Sequence, residues 1–282
     1  MSWRNLFLSG AALALGLAMA ATPGRAAEPI TVAADVGFVP HVMAKPDGGF
    51  EGYNVDLIEE IARRMGRPYK IIDQQWSGIF AGLNAKKYDF IISPTTVTEE
   101  RAKSLLFVEG YIETDYLFVL KKASPDITKL EDLKGKALSV NNGNLYDKWA
   151  SEREGQYGWT IQRYGKNADA VQAVLVDRAY ANLVGNTAAL HIAKSNPLLK
   201  TSFAVKTGQV FSIPFRKDDV ATRNQVEGIL ECMKLDGTVA KLNEKWFGME
   251  SAKDSVSRTV QAGFGQPGFE GYDPTPHTPK CS

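Results

Sequence analysis

Residues 89–101, with the sequence DFIISPTTVTEER, predict a buried strand, a turn and the first turn of a helix. The run Phe-Ile-Ile at 90–92 is short and continuously apolar, which is typical of a parallel strand covered on both faces. Pro94 ends this strand. Thr98 then precedes the helix and is placed to cap it, because its side-chain oxygen can accept a hydrogen bond from a backbone N–H of the first turn.

Arg101 lies in this first turn, where the helix macrodipole is positive and acidic side chains are preferred. A cation at this position works against the dipole. If Arg101 faces a cleft, its guanidinium and the free backbone N–H groups can together bind an anion. The alternative is a surface arginine paired with a neighbouring glutamate, and the stretch by itself leaves both open.

The composition is that of a globular protein with one large or two modest domains: 282 residues, 44% hydrophobic residues and a formal net charge of +1. A net charge this close to zero gives no reason to expect nucleic acid or an anionic membrane as partner. Residues 1–26 read as a secretory signal peptide, because Arg4 precedes the apolar run 6–21 and a small-x-small site follows at 24–26.

A membrane anchor would need about 20 apolar residues, and Pro23 and Gly24 end the run earlier. We therefore expect a mature protein that is exported to the periplasm, is not embedded in a membrane and is a monomer. The two cysteines, Cys232 and Cys281, form an even pair, which in an exported chain predicts one disulfide. Two free thiols for a metal or for catalysis are the alternative, without a nearby histidine cluster to support it.

Predicted strands and helices alternate in two similar sets, over roughly 30–107 and 120–211. Such β-α-β-α-β alternation favours a parallel sheet with helices on its faces. Extended segments at 111–120 and 202–213 would cross between the sets. We predict an α/β fold of two lobes, each a mostly parallel sheet flanked by helices, with two hinge crossings and a ligand cleft beyond the strand ends.

A tail rich in glycine and proline follows the last predicted helix, and it cannot be helical. Cys281 is expected to tie it to Cys232 on the predicted helix 219–235. Its aromatic residues would then pack on the first lobe or present a surface to a partner; they are Phe264, Phe269 and Tyr272. The predicted division is 1–26 signal peptide, 27–118 plus 212–261 lobe I, 119–211 lobe II and 262–282 tail.

Six motifs, in order over about 30–250, resemble those of periplasmic solute-binding proteins of the polar amino-acid type, family 3. They are Gly52-Tyr53-Asn54-Val55-Asp56-Leu57, the spacing from Trp76 to Asp89, Thr96-Val97-Thr98-Glu99-Glu100-Arg101, the spacing from Phe107 to Tyr111, Val140 to Asn144, and Lys245-Trp246-Phe247-Gly248. The resemblance implies the type II periplasmic binding protein fold, with a solute in the cleft and an ABC permease as partner.

The resemblance also implies roles for individual residues. Arg101 would bind a ligand carboxylate, Thr96 and the backbone near Ser93 would add hydrogen bonds, and Asn144 would supply donors from the second lobe. The apolar walls of the first lobe would be Phe38 and Trp76, for which packing in the core is an almost equally good interpretation.

One departure from the family pattern concerns the strand near 179–184. In the family this strand ends in an aspartate that pairs with the α-ammonium of the ligand, whereas this chain has Gly185 followed by Asn186. A desolvated ammonium without a counter-charge costs several kcal/mol. We therefore expect that this protein does not bind a free α-amino acid in the usual way.

The tail, the uncharged Gly185 and the aromatic cleft resemble the J-type accessory proteins encoded beside periplasmic methanol dehydrogenases. This resemblance implies that the cleft holds a segment or surface of a pyrroloquinoline-quinone enzyme during its assembly or activation. The alternative is a receptor of an ABC importer for an amino acid or a small organic anion. An enzyme is not expected, and no cofactor or metal, since the histidines at 41, 191 and 277 are scattered and no catalytic spacing occurs.

Overall fold

The computed structural model describes Met1 and residues 27–248 and 250–281. The predicted signal peptide, apart from Met1, lies outside the described residues. Among the described residues, none of the helices is long and apolar enough to cross a membrane.

The described residues form strands and helices in alternation through most of the chain. The strands are β1 (Ile30–Ala34), β2 (Met43–Ala44), β3 (Phe50–Glu51), β4 (Tyr69–Asp73), β5 (Phe90–Ile91), β6 (Thr95–Thr96), β7 (Leu105–Phe107), β8 (Ile112–Lys121), β9 (Ala137–Asn141), β10 (Thr160–Tyr164), β11 (Ala181–Gly185), β12 (Leu199–Ser212) and β13 (Pro214–Arg216). The helices are α1 (Tyr53–Met65), α2 (Trp76–Asn84), α3 (Glu99–Ala102), α4 (Leu145–Tyr157), α5 (Asn167–Leu175), α6 (Asn186–Ser195), α7 (Val220–Leu235) and α8 (Thr238–Phe247).

Two sheets carry the fold. The first has the strand order β4-β1-β5-β13-β7 and the second has the order β10-β9-β11-β8-β12-β6. Strand β1 is parallel to β4 and β5, and β9 is parallel to β10 and β11. The strands β8, β12 and β13 pair with their neighbours antiparallel. Both sheets are therefore mixed and not mostly parallel, because the strands that carry the chain between the lobes return in the opposite direction.

Each sheet has an apolar core of its own, which confirms the predicted two-lobed α/β fold. Helix α1 buries Leu57, Ile58 and Ile61 in the core of the first lobe, and Gly66 in the left-handed conformation ends that helix. The core of the second lobe contains Phe118 and Trp159. The long strands β8 and β12 connect the two lobes.

We propose lobe boundaries close to those predicted, with one exchange. The short strand β6 was not predicted and pairs with Phe211 and Ser212 of β12, so it belongs to the sheet of the second lobe. The neighbouring elements agree with the prediction: β5 contains Phe90 and Ile91, and Thr98 caps α3 by accepting the N–H of Arg101 at 3.2 Å.

The tail is joined to α7 by a disulfide between Cys232 and Cys281, as predicted. The backbone of the tail and of the residue just before it also donates to buried carboxyl groups of the first lobe. The N–H of Gly265 donates to Glu227 at 2.7 Å, and the N–H of Gln261 donates to Glu109 at 2.6 Å. Glu109 and Glu227 are fully buried. Because a buried carboxylate needs hydrogen bonds as well as a counter-ion, these contacts fix the path of the tail.

The aromatic residues of the tail are packed. Phe264 stacks on His277 with ring centroids 3.8 Å apart, Phe269 packs against the cluster that contains Trp76, and the Tyr272 hydroxyl donates to the carbonyl of Ala262. Each of the three retains partial exposure. The tail also runs beside β7, the edge strand of the first sheet, where it protects an otherwise unpaired edge.

Breaking the disulfide tests how much it stabilises the protein. For a sequence separation of 49 residues, the chain-entropy model corresponds to about 4 kcal/mol. We expect Cys281→Ser to lower the free energy of unfolding by up to this amount, measured by urea denaturation. The double variant with Cys232→Ser should lose little more than either single variant, because the same cross-link is removed once. Additive losses would contradict this account.

Candidate functional site

The two lobes contact one another along the cleft. Asn141 of lobe II donates from Nδ2 to Asp35 Oδ2 at 2.6 Å, and the Trp76 indole N–H donates to the carbonyl of Gly143 at 3.3 Å. Ion pairs cross the cleft as well, between Lys166 and Asp73 at 2.7 Å and between Lys148 and Glu100. The cleft is therefore closed in this structure.

A cavity of about 30 Å³ lies between the lobes. It is lined by Asp35, Phe38, Trp76, Ser93, Pro94, Thr96, Arg101, Asn141, Asn144, Leu145, Tyr146 and Phe211. A volume of about 10–15 Å³ accommodates one water molecule, so the closed cleft is nearly filled by the side chains of the protein. The structure thus brings six of the predicted cleft residues together at one small cavity, whereas Gly185 and Asn186 do not line it.

Arg101 is held at this cavity by its position on α3. Its Nη1 donates to the carbonyl of Thr96 at 2.9 Å, and the guanidinium lies 5.4 Å from the ring centroids of both Trp76 and Phe80. Desolvation lowers the pKa of Arg101 to about 10. Among the described residues, none places a carboxylate oxygen within 4.0 Å of the guanidinium. The cavity therefore contains a cation whose charge is not neutralised by a direct ion pair.

Hydrogen bonds within the protein involve three of the predicted polar residues of the cleft, which are Ser93, Thr96 and Asn144. Ser93 Oγ accepts the backbone N–H of Asp35 at 2.7 Å, and the carbonyl of Thr96 accepts from Arg101. Asn144 caps α4, because its Oδ1 accepts the N–H of Asp147 at 2.8 Å. The polar groups around the cavity thus hold the backbone in place, and the Arg101 guanidinium is the charged donor among them.

Asp35 is a cavity residue that the sequence reasoning did not find. It is 2% exposed, its Oδ1 has no hydrogen-bond partner among the described residues, and burial raises its pKa to about 6 although the bond from Asn141 lowers it. Asp35 directly follows β1, and the ends of parallel strands are where α/β proteins bind ligands. Its position at the end of a predicted strand is the signal in the sequence that could have identified it.

The position of Gly185 is covered by Tyr146. A Cβ atom at residue 185 would lie 2.5 Å from the Tyr146 hydroxyl oxygen, so a side chain there requires Tyr146 to move. Tyr146 is 5% exposed, and burial raises its pKa. Asn186 begins α6 and lines a separate surface groove with His191, Lys194 and Lys245.

The walls of the cavity belong to both lobes. Trp76 is on α2 of lobe I and is 7% exposed. Phe38 lies in the loop after β1, yet it packs with the apolar cluster of lobe II. Both side chains therefore combine packing with a place at the cavity, and Phe38 helps to hold the lobes together.

His41 forms a second buried contact between the lobes. Asn54 donates from Nδ2 to the Tyr111 hydroxyl at 2.8 Å, which directs its Oδ1 to His41 Nδ1 at 2.9 Å. His41 Nε2 lies 2.7 Å from the hydroxyl of Thr187 on lobe II. Burial lowers the pKa of His41 to about 3, so the imidazole is neutral, with the proton on Nδ1.

The chain that forms this cleft is similar in sequence to a family of binding proteins. The sequence model of the family described as bacterial extracellular solute-binding proteins, family 3, matches residues 30–249. The match therefore includes both sheets and the residues of the cavity, and the chain from 250 onward, with the tail, lies beyond it.

Individual relatives agree with this match. The L-cystine-binding protein TcyJ of Escherichia coli (strain K12) is 28% identical over 218 residues, which cover 77% of this chain and 81% of the relative. The L-cystine-binding protein TcyA of Bacillus subtilis (strain 168) is 30% identical over 204 residues, with 72% and 74% covered. The solved structure of an ancestral arginine-binding protein bound to arginine has a TM-score of 0.74 at 30% identity, covering 78% of this chain and 98% of that one.

Asp35→Asn tests the buried carboxyl. Because the pKa of Asp35 is raised to about 6 from 3.8, the folded protein binds the proton more tightly than the unfolded chain, and stability from this group rises as the pH falls toward 4. Relative to Asp35→Asn, the wild type should gain about 2 kcal/mol in the free energy of unfolding between pH 7 and pH 4. Parallel pH curves for the two proteins would contradict the assignment.

His41→Gln tests the neutral imidazole between the lobes. The pKa of His41 is lowered from 6.5 to about 3, so the unfolded chain takes up the proton first and stability falls as the pH drops below 6.5. Relative to His41→Gln, the wild type should lose about 3 kcal/mol in the free energy of unfolding between pH 6.5 and pH 4. His191→Gln, at a partly exposed histidine of α6, is the control and should keep most of the wild-type slope.

Proposed function

The chain belongs to family 3 of the bacterial extracellular solute-binding proteins, and on this premise we propose that it is a periplasmic receptor for a small solute with an anionic group. The solute binds between the lobes, with its anionic group at Arg101. An amino acid or a small organic anion has this chemistry. The named relatives are an L-cystine-binding protein and other binding proteins, which supports a binding protein over an enzyme.

The observation that carries this proposal is the cation of Arg101 at the interlobe cavity. A half-buried guanidinium without a carboxylate partner among the described residues is costly to maintain. A carboxylate of the ligand would neutralise it and accept two parallel N–H donors, which is the strong geometry for this pair. The rings of Trp76 and Phe80 hold the guanidinium in place, so little side-chain freedom remains to be lost on binding.

Asp35 would bind a donor group of the same solute. Its free Oδ1 is a buried acceptor at the same cavity. An ammonium or hydroxyl of the solute could donate to it, and an ammonium would keep Asp35 ionised at neutral pH. A solute with a carboxylate and a donor group is therefore complementary to the two charged side chains of the cleft, although Gly185 provides no charge.

The location and partner follow from the proposed receptor role. Residues 1–26 were predicted to direct export, and the family is described as extracellular. The partner of the closed, loaded receptor would be an ABC permease. In this scheme the protein opens to admit the solute, closes around it and delivers it.

A screen of amino acids and small carboxylates by thermal shift tests the proposal. A solute that binds the folded protein raises its melting temperature by mass action. Arg101→Gln should weaken the binding of that solute roughly 10- to 100-fold, as expected for the loss of hydrogen bonds to a charged group. Arg153→Gln is the matched control, because Arg153 pairs with Glu152 on the surface of α4. Equal affinities of the two variants would contradict the proposal.

A second candidate is an accessory protein for assembly or activation of a periplasmic methanol dehydrogenase. One observation favours it: Tyr146 covers Gly185 and the closed cavity holds only about 30 Å³, which restricts a bound metabolite to a very small one. Such a protein would open its cleft to a segment or surface of the dehydrogenase. Stabilisation by the purified dehydrogenase, without stabilisation by any solute of the screen, would favour this candidate over the receptor.

A further inference from the structure

Three spaces meet at the side chain of Leu145. The inner cavity of about 30 Å³ contains the guanidinium of Arg101. Beyond it lie a groove of about 540 Å³ and a smaller pocket of about 210 Å³, both open to solvent. Among the described residues that line these spaces, Leu145 borders all three. Leu145 is the lining residue that the inner cavity shares with the groove, whereas Arg101 and Asn144 also border both the inner cavity and the smaller pocket.

Leu145 is held firmly at this boundary. It is the first residue of α4, directly after the cap formed by Asn144, and it packs against the apolar core of lobe II. Lobe I contributes Arg101 to the inner cavity and Thr98 to the outer spaces. Since Leu145 belongs to lobe II, it moves away when the cleft opens and returns to the boundary when the cleft closes.

We infer that Leu145 determines the size of the ligand by closing the inner cavity against the outer groove. This inference rests on the proposed function and narrows it. The ligand bound by the closed form is a compact carboxylate or small amino acid, whose carboxylate lies at Arg101 and whose remainder ends at Leu145. A longer chain would have to pass the position of this side chain to reach the groove.

The aromatic residues of the groove predict how a smaller side chain at 145 would change the preferred length of the ligand. The groove is bordered by Tyr116, Trp149 and Phe269, which can cover an aliphatic chain. Each methylene that leaves water contributes to binding by an amount equal to about a fourfold change in affinity. A variant with a smaller residue at 145 should therefore prefer longer carboxylates, whereas the wild type should prefer short ones.

The experiment compares wild type, Leu145→Ala and Leu190→Ala by calorimetric titration with two series, acetate to hexanoate and glycine to norleucine. Leu190 is an exposed leucine of α6 and provides the matched control. We expect affinity to fall with chain length in wild type and Leu190→Ala, and to rise about fourfold per methylene in Leu145→Ala. Circular dichroism melts confirm folding, and Leu145→Val, with a smaller change in volume, should show the same trend more weakly.

The results distinguish the receptor function from the size limit set by Leu145. If wild type binds members of a series and Leu145→Ala shows the same order of affinities, Leu145 does not determine size, while the receptor function stands. If no member of either series binds wild type or variant, the inference fails, while the receptor function is decided by the wider thermal-shift screen of amino acids and carboxylates. If wild type binds hexanoate or norleucine more tightly than acetate or glycine, the size limit itself is overturned.

Discussion

The antiparallel pairing of β8 with β12 is the constraint on which the cleft depends. These two strands are the longest of the second sheet and run from one lobe into the other, so they determine how the lobes face each other. Irregularities in their register lie between Thr201 and Ala204 and between Val205 and Gln209. The strand ends that bear Asp35, Ser93 and Asn141 meet across the cleft only because this pairing holds both sheets at that distance.

Within this frame, the electrostatics of the cleft are dominated by groups withdrawn from water. Arg101 lacks a direct carboxylate partner among the described residues, and Asp35 retains an oxygen without a partner. Such groups destabilise a folded protein unless something offsets their desolvation. Because both groups line one cavity, their presence is easier to understand as preparation for a ligand than as a contribution to stability. The neutral His41, by contrast, has both ring nitrogens within hydrogen-bond distance of partners and serves the contact between the lobes.

Much of the fold could be predicted from local patterns. The apolar run at 90–92, the cap at Thr98 and the spacing to Arg101 are all short-range features, and the structure agrees with them. The mixed sheets and the strand β6 could not be predicted in this way, because their pairing joins residues that are distant in the chain, such as Leu120 with Ala181 and Thr96 with Phe211. The cavity shows the same division. Arg101 carried a local signal, whereas the burial of Asp35 and the approach of Tyr146 to Gly185 depend on tertiary packing.

The position of β13 affects the order in which the two lobes can fold. This strand lies between β5 and β7 in the first sheet, although it follows the whole of lobe II in the chain. Lobe II is nearly contiguous in the chain and can therefore assemble before β13 is available to complete the first sheet. Until β13 pairs with β5, that strand has an exposed edge that a chaperone could occupy.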